Sequence, residues 1–89
     1  MPESSVAVEI VNESGLHARP CHAIVRLAIE YEADLRVSCG DLSVNGKSIL
    51  ELMTLAAGRG DRLQLSADGS DAEALLGALQ RLVAEGFQE

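Results

Sequence analysis

Apolar positions along the chain change period several times, and each change marks an element. Val6, Val8 and Ile10 alternate with other residues between Ser5 and Val11, the period of a strand with one buried face. Asn12-Glu13-Ser14-Gly15 breaks that alternation as a loop. From Ala18 to Glu30 the apolar positions Cys21, Ile24, Val25 and Ala28 recur at helical spacing, and Pro20 stands in the first turn, where a missing N–H costs little. Leu35, Val37 and Cys39 alternate again, Gly40-Asp41 is a turn signal, and Leu42-Ser43-Val44 returns as the second arm of a hairpin ending at Asn45-Gly46. A short helix is predicted from Ser48 to near Gly58, followed by a strand carrying Leu63, Leu65 and Ala67. After Asp68-Gly69 a final helix buries Leu75, Leu79, Leu82 and Val83 and stops at Gly86; Ser70-Asp71-Ala72-Glu73 reads as its capping box.

The order β-α-β-β-α-β-α favours an α+β fold, with one antiparallel or mixed sheet covered by helices on a single face. Length adds that residues 1–89 form one domain, too small for a cofactor domain beside a substrate domain. Tyr31 and Phe87 are the only aromatic residues, so the core is aliphatic and base stacking has little to work with. Fourteen acidic residues against seven basic ones give a formal charge of -7, a field that repels nucleic acid and anionic membrane. Glu3 and the missing apolar run at the start argue against a secretory signal, and no segment is long and apolar enough to span a bilayer. A cytoplasmic, monomeric protein is expected. Cys21 and Cys39 fit buried, reduced thiols better than a disulfide framework, and a metal site is poorly supported.

Chemistry concentrates in Gly15-Leu16-His17-Ala18-Arg19-Pro20, which places an imidazole where a loop meets a helix N-terminus, with a guanidinium two residues on. Helix amides and the positive end of the dipole attract phosphate locally, whatever the net charge. Arg19 can fork two N–H donors onto phosphate oxygens, a geometry lysine does not reproduce. A neutral imidazole is a good nucleophile toward phosphorus. A lone histidine at such a place is more often a cap or a solvated side chain; the hexapeptide as a whole reverses that balance. No P-loop, acid–base pair or metal cluster for independent turnover, and no cofactor motif, accompanies it.

That hexapeptide, after a first strand and before a helix, strongly resembles the histidine phosphocarrier (HPr) family of the bacterial phosphoenolpyruvate-dependent phosphotransferase system. The resemblance spans nearly the whole chain, because Asn45-Gly46-Lys47-Ser48-Ile49 is similar to the segment opening that family's second helix. It implies an open-faced β-sandwich: a four-stranded antiparallel sheet with three helices on one face. It further implies a phosphoryl group carried on Nδ1 of His17 and steadied by Arg19, with enzyme I as donor, enzyme IIA domains as acceptors, and no catalysis by the chain on its own. General and nitrogen-branch members share these motifs; the sugar branch is favoured.

Ser48-Ile49-Leu50-Glu51 is itself a capping box, so Ser48 has a structural role without further purpose. In many members of the family the matching serine is phosphorylated by a dedicated kinase, which lowers acceptance of phosphate at the histidine; the resemblance makes Ser48 a candidate regulatory residue. Ile49, Leu50, Leu52, Met53 and Leu55 cover more than half the circumference of a short helix, so the surplus Ile49, Leu50 and Met53, with Lys47 and His22, is expected to form a partner-docking surface. Cys21 and His22 stand where the family mostly has small residues; Cys21 falls on the apolar stripe and His22 off it. Two readings from other classes compete: an interaction module of the same fold that is never phosphorylated, and a thiol or metal protein using His17 and Cys21, which lacks a clear third and fourth ligand.

Overall fold

The structure is a computed structural model and describes residues 3–88. Strand β1 (Glu3–Glu9) leads through a loop to helix α1 (Ala18–Ala28); β2 (Asp34–Cys39) and β3 (Leu42–Asn45) follow, then α2 (Ile49–Met53), β4 (Arg62–Asp68) and α3 (Ala72–Ala84), with a final 3₁₀ turn at Gly86–Gln88. The strands form one antiparallel sheet in the order β1-β4-β2-β3. This is the expected α+β architecture.

Register explains why only one face is covered. Val6 and Val8 pair with Leu65 and Leu63, Leu65 and Ala67 with Val37 and Leu35, and Val37 with Val44, so the apolar parity of every strand falls on one side. Ile24, Leu52, Leu75, Leu79 and Val83 from the three helices close over that face and are buried. The other parity, including Ser5, Ala7, Arg36, Ser43 and Gln64, is exposed. At roughly 25 cal/mol per Å², burial of these aliphatic side chains is the main stabilising contribution.

The structure revises several local expectations. Strand β1 ends at Glu9; Ile10 continues inward, held by its N–H to the Asp61 carbonyl at 2.9 Å, while Val11 is exposed. Val25 and Leu82 are half-buried, and Cys39 lies half-buried beside the hairpin turn while Cys21 is fully enclosed. Helix α2 stops at Met53, well short of Gly58. Its last amides tighten to three-residue spacing, Leu55 to Leu52 and Ala56 to Met53, and Ala56 turns to a left-handed φ of 49°. That reversal lets Leu55 and Ala57 both point inward. Gly86, with φ 65°, follows the α3 C-cap Glu85 as expected.

The capping box before α3 does not form. The N-cap is Asp71, one residue later than expected, and its side chain makes no cap hydrogen bond. Its two carboxylate oxygens instead accept the N–H groups of Glu32 and Ala33, each at 2.9 Å, tying the start of α3 to the turn between α1 and β2. A nearer, geometrically matched pair of donors outcompetes the local cap. The bond from Glu32 is the largest influence on the Asp71 carboxyl; desolvation, the next largest, opposes it, and the bonds from Ala33 and its own N–H with the Lys47 charge leave the group below its ordinary range. A depressed carboxylate pKa contributes stability that is present above the unfolded value and is lost as pH falls through the folded one. Urea midpoints should therefore drop as pH falls below about 4, and Asp71→Asn should lose less over that range than the parent; equal losses in both proteins would refute this assignment.

Candidate functional site

The loop before α1 is built so that His17 sits at the helix N-cap. Gly15 adopts a φ of 69°, and the Asn12 carbonyl accepts its N–H at 3.2 Å. The Gly15 carbonyl receives two donors, the Asn12 side-chain Nδ2 at 2.9 Å and the His17 N–H at 3.1 Å, so the backbone entering the helix is fixed from both sides. Asn12 is buried; its place in this turn was not anticipated, and an Asx residue three before a glycine is the signal that could have found it. A side chain at Gly15 would put its Cβ 2.6 Å from the Ala57 carbonyl oxygen and 2.8 Å from the Gly58 Cα, so the loop rests directly on the α2–β4 connection. Leu16 secures that contact, donating its N–H to the Ala57 carbonyl at 2.9 Å while its side chain is buried.

His17 is the N-cap of α1 with extended backbone angles, makes no side-chain cap bond, and is half-buried. Its carbonyl accepts the Cys21 N–H at 3.2 Å and so closes the first helical turn. Because Pro20 has no N–H, the first-turn amides are those of Ala18 and Arg19. They follow His17 at the positive end of an 11-residue helix, the end that stabilises an anion. Arg19 is exposed and opens onto a shallow depression shared with Ala18, His22, Ala23 and Arg26. Arg19, His22 and Arg26 thus place cationic or titratable groups together on one face of a strongly acidic chain. Arg26 was missed, although its place seven residues beyond Arg19 carries the helical period.

Cys21 points the other way. Burial pushes its thiol up from the ordinary range, and its Sγ lies 3.9 Å from the Leu16 carbonyl oxygen. It behaves as a small core residue. Among the described residues there is no group of three or more metal-ligating side chains.

Helix α2 packs alongside α1. Ser48 is its N-cap, half-buried, and its hydroxyl oxygen accepts the Glu51 N–H at 3.2 Å. Only that half of the capping box forms, since the Glu51 carboxylate reaches past Ser48 to accept the Asn45 N–H at 2.9 Å. Leu50 is 79% exposed and Met53 43%, but Ile49 is half-buried against the core, so the exposed apolar surface is narrower than expected. A helix of five residues has room for Leu52 inward, and Ile49 leans with it. Lys47 is half-buried with its Nζ donating to the Tyr31 carbonyl at 2.9 Å, which ties this segment to the end of α1 and leaves the ammonium committed within the fold.

Residues 4–85 match the family model described as the phosphotransferase-system HPr component phosphorylation site. The phosphocarrier protein HPr of Treponema pallidum is 38% identical over 82 residues, covering 92% of this chain and 93% of that one. The phosphoryl donor subunit DhaM of a phosphoenolpyruvate-dependent dihydroxyacetone kinase from Klebsiella michiganensis is 41% identical over 85 residues, which are 96% of this chain and 18% of that longer protein. A crystal structure of HPr from Thermoanaerobacter tengcongensis superposes with a TM-score of 0.92 at 37% identity and 97% coverage of each chain.

Proposed function

Given that the chain belongs to the HPr family and is a phosphoryl carrier of the phosphotransferase system, not an independent catalyst, we propose that His17 is the residue that carries the phosphoryl group. The observation that supports this most is that the half-buried His17 is the N-cap of α1, directly before the first-turn amides of Ala18 and Arg19 and two residues from the exposed Arg19 side chain. A ring nitrogen of His17 forms a bond to phosphorus as the donor's bond to the same phosphorus breaks, and the reverse exchange delivers the group to the acceptor. Arg19 and the helix end offset the charge on the phosphoryl oxygens in both directions. The donor is enzyme I, the acceptors are enzyme IIA domains, and the setting is the cytoplasm, in the sugar branch; among the described residues no helix is long and apolar enough to cross a membrane. Incubation with enzyme I and radiolabelled phosphoenolpyruvate tests the assignment: acid-labile label on His17 is expected, and label elsewhere in the chain would overturn it.

Partners dock across the α1 depression and the exposed apolar side of α2, where Leu50 and Met53 stand out. Apolar groups this exposed contribute little to folding, so Leu50→Ala should change stability by less than about 0.5 kcal/mol. The same change should raise KM for enzyme I by about tenfold, the loss of a moderate interface anchor; an unaltered KM would remove Leu50 from the docking surface.

Ser48 is the regulatory residue of this surface. Its hydroxyl accepts the Glu51 N–H and lies two residues before the exposed Leu50, so a phosphate there adds negative charge to the segment where an apolar contact is needed. Ser48→Asp should slow phosphoryl uptake by His17 by about tenfold, equivalent to about 1.4 kcal/mol. Ser48→Ala should keep the parent rate while losing about 1 kcal/mol of stability with its cap. Equal rates in the two variants would argue against regulation at this position.

A further inference from the structure

The loop between α2 and β4 holds the acceptor loop from behind, and one side chain closes it. Asp61 Oδ2 accepts the Gly58 N–H at 2.8 Å, while the Asp61 N–H donates to the Gly58 carbonyl at 3.0 Å. Residues 58–61 are thereby locked into a tight ring from both sides. The ring is anchored to the sheet, because the Asp61 carbonyl accepts the Ile10 N–H at 2.9 Å and the Gly60 N–H donates to the Ile10 carbonyl at 2.8 Å. On its other side it presents the Ala57 carbonyl to the Leu16 N–H and the Gly58 backbone to Gly15, the two contacts that seat the loop carrying His17. The chain reaches this point through Ala56, whose left-handed φ of 49° is a conformation that alanine adopts only when its surroundings hold it there.

We infer that Asp61 is a positioning residue for phosphoryl transfer: by fixing Gly58 it fixes Ala57, and through Leu16 and Gly15 it sets where the His17 ring stands. Asp61 acts here through the loop, by the two bonds it makes to Gly58. Its exposed carboxylate matters as a hydrogen-bond acceptor for a loop amide, so charge is not the property that counts. Small displacements of an attacking atom cost rate more than they cost binding. The inference rests on His17 being the acceptor, and the experiment separates the two claims.

Amide hydrogen exchange of Leu16 is followed in the unphosphorylated protein, and kcat and KM for phosphoryl uptake from enzyme I are measured on the same samples. In Asp61→Ala, Leu16 exchange should quicken by about tenfold and kcat should fall by about fivefold with KM within twofold of the parent. Asp61→Asn, which keeps an acceptor oxygen, should restore both to within about twofold. Asp71→Ala, which removes hydrogen bonds from a different turn, gauges what a general loss of stability does and should change neither quantity. Should Asp61→Ala fail to fold, Asp61→Glu takes its place, since a longer side chain keeps the charge and misplaces the acceptor, and it must move both quantities in the same direction. Unchanged Leu16 exchange and kcat, a failure of Asn to rescue, or an equal fall in kcat with Asp71→Ala would each overturn the inference. A parent chain that takes up no label at His17 would instead sink the acceptor assignment, with the exchange measurement still reporting whether Asp61 holds the loop.

Discussion

Replacing His17 by alanine is expected to abolish phosphoryl uptake, from about one group per chain to none, while the fold persists. The imidazole stands at the N-cap, directly before the first-turn amides and two residues from Arg19; with it gone, those groups can attract an anion but the N-cap position has nothing to bond it, and label appearing on His22, which shares the depression with Arg19, would reassign the acceptor. The fold should persist, because the backbone N–H and carbonyl of residue 17, which bond Gly15 and Cys21, are retained by alanine. Acid-labile label measured by mass, together with an unaltered circular dichroism spectrum, checks both halves. Label persisting in His17→Ala would disprove the assignment. A parent protein that binds enzyme I and takes no label would favour the non-phosphorylated interaction module.

Gly15→Ala is expected to be the most damaging small substitution in the site, lowering stability by roughly 3 kcal/mol and the thermal midpoint by roughly 15 °C. Two costs act together. The φ of 69° disfavours any side chain, and the new Cβ would lie 2.6 Å from the Ala57 oxygen and 2.8 Å from the Gly58 Cα, both backbone atoms that cannot rotate away. The two loops must separate, which breaks the Leu16 to Ala57 hydrogen bond and displaces the imidazole. Phosphoryl uptake should therefore fall even at temperatures where Gly15→Ala is folded. Calorimetry and an uptake assay at 15 °C would show whether rate and stability fail together; normal uptake would mean that the seating of Gly15 does not position His17.

Much of this was legible from local pattern. Strand alternation at Val6-Val8, Leu35-Val37 and Leu63-Leu65, and helical spacing at Cys21-Ile24-Ala28, depend on which face is buried, and one buried face is a property of the sequence alone. The candidate hexapeptide was legible for the same reason, since a histidine, an arginine and a helix start lie within four residues of one another. Boundaries and partners were less so. Asp71 looked like part of a cap and instead holds Glu32 and Ala33; Glu51 looked like the other half of a capping box and holds Asn45; Ile49 looked exposed and leans on the core. In each case a donor or surface brought near by folding competed with the local one.

What the sequence determined by itself, then, is the set of elements, the buried parity of each and the residue proposed to carry the phosphoryl group, because these follow from backbone period and from side-chain chemistry over a few neighbouring positions. The tertiary structure decided how that residue is held. Ala57, Gly58 and Asp61 stand some forty residues from His17, and only the antiparallel return of β4 beside β1 brings their loop under Gly15 and Leu16. Hydrogen bonds between segments so far apart have no period to announce them, since they depend on where the sheet delivers each end and on which amides are left without a partner there.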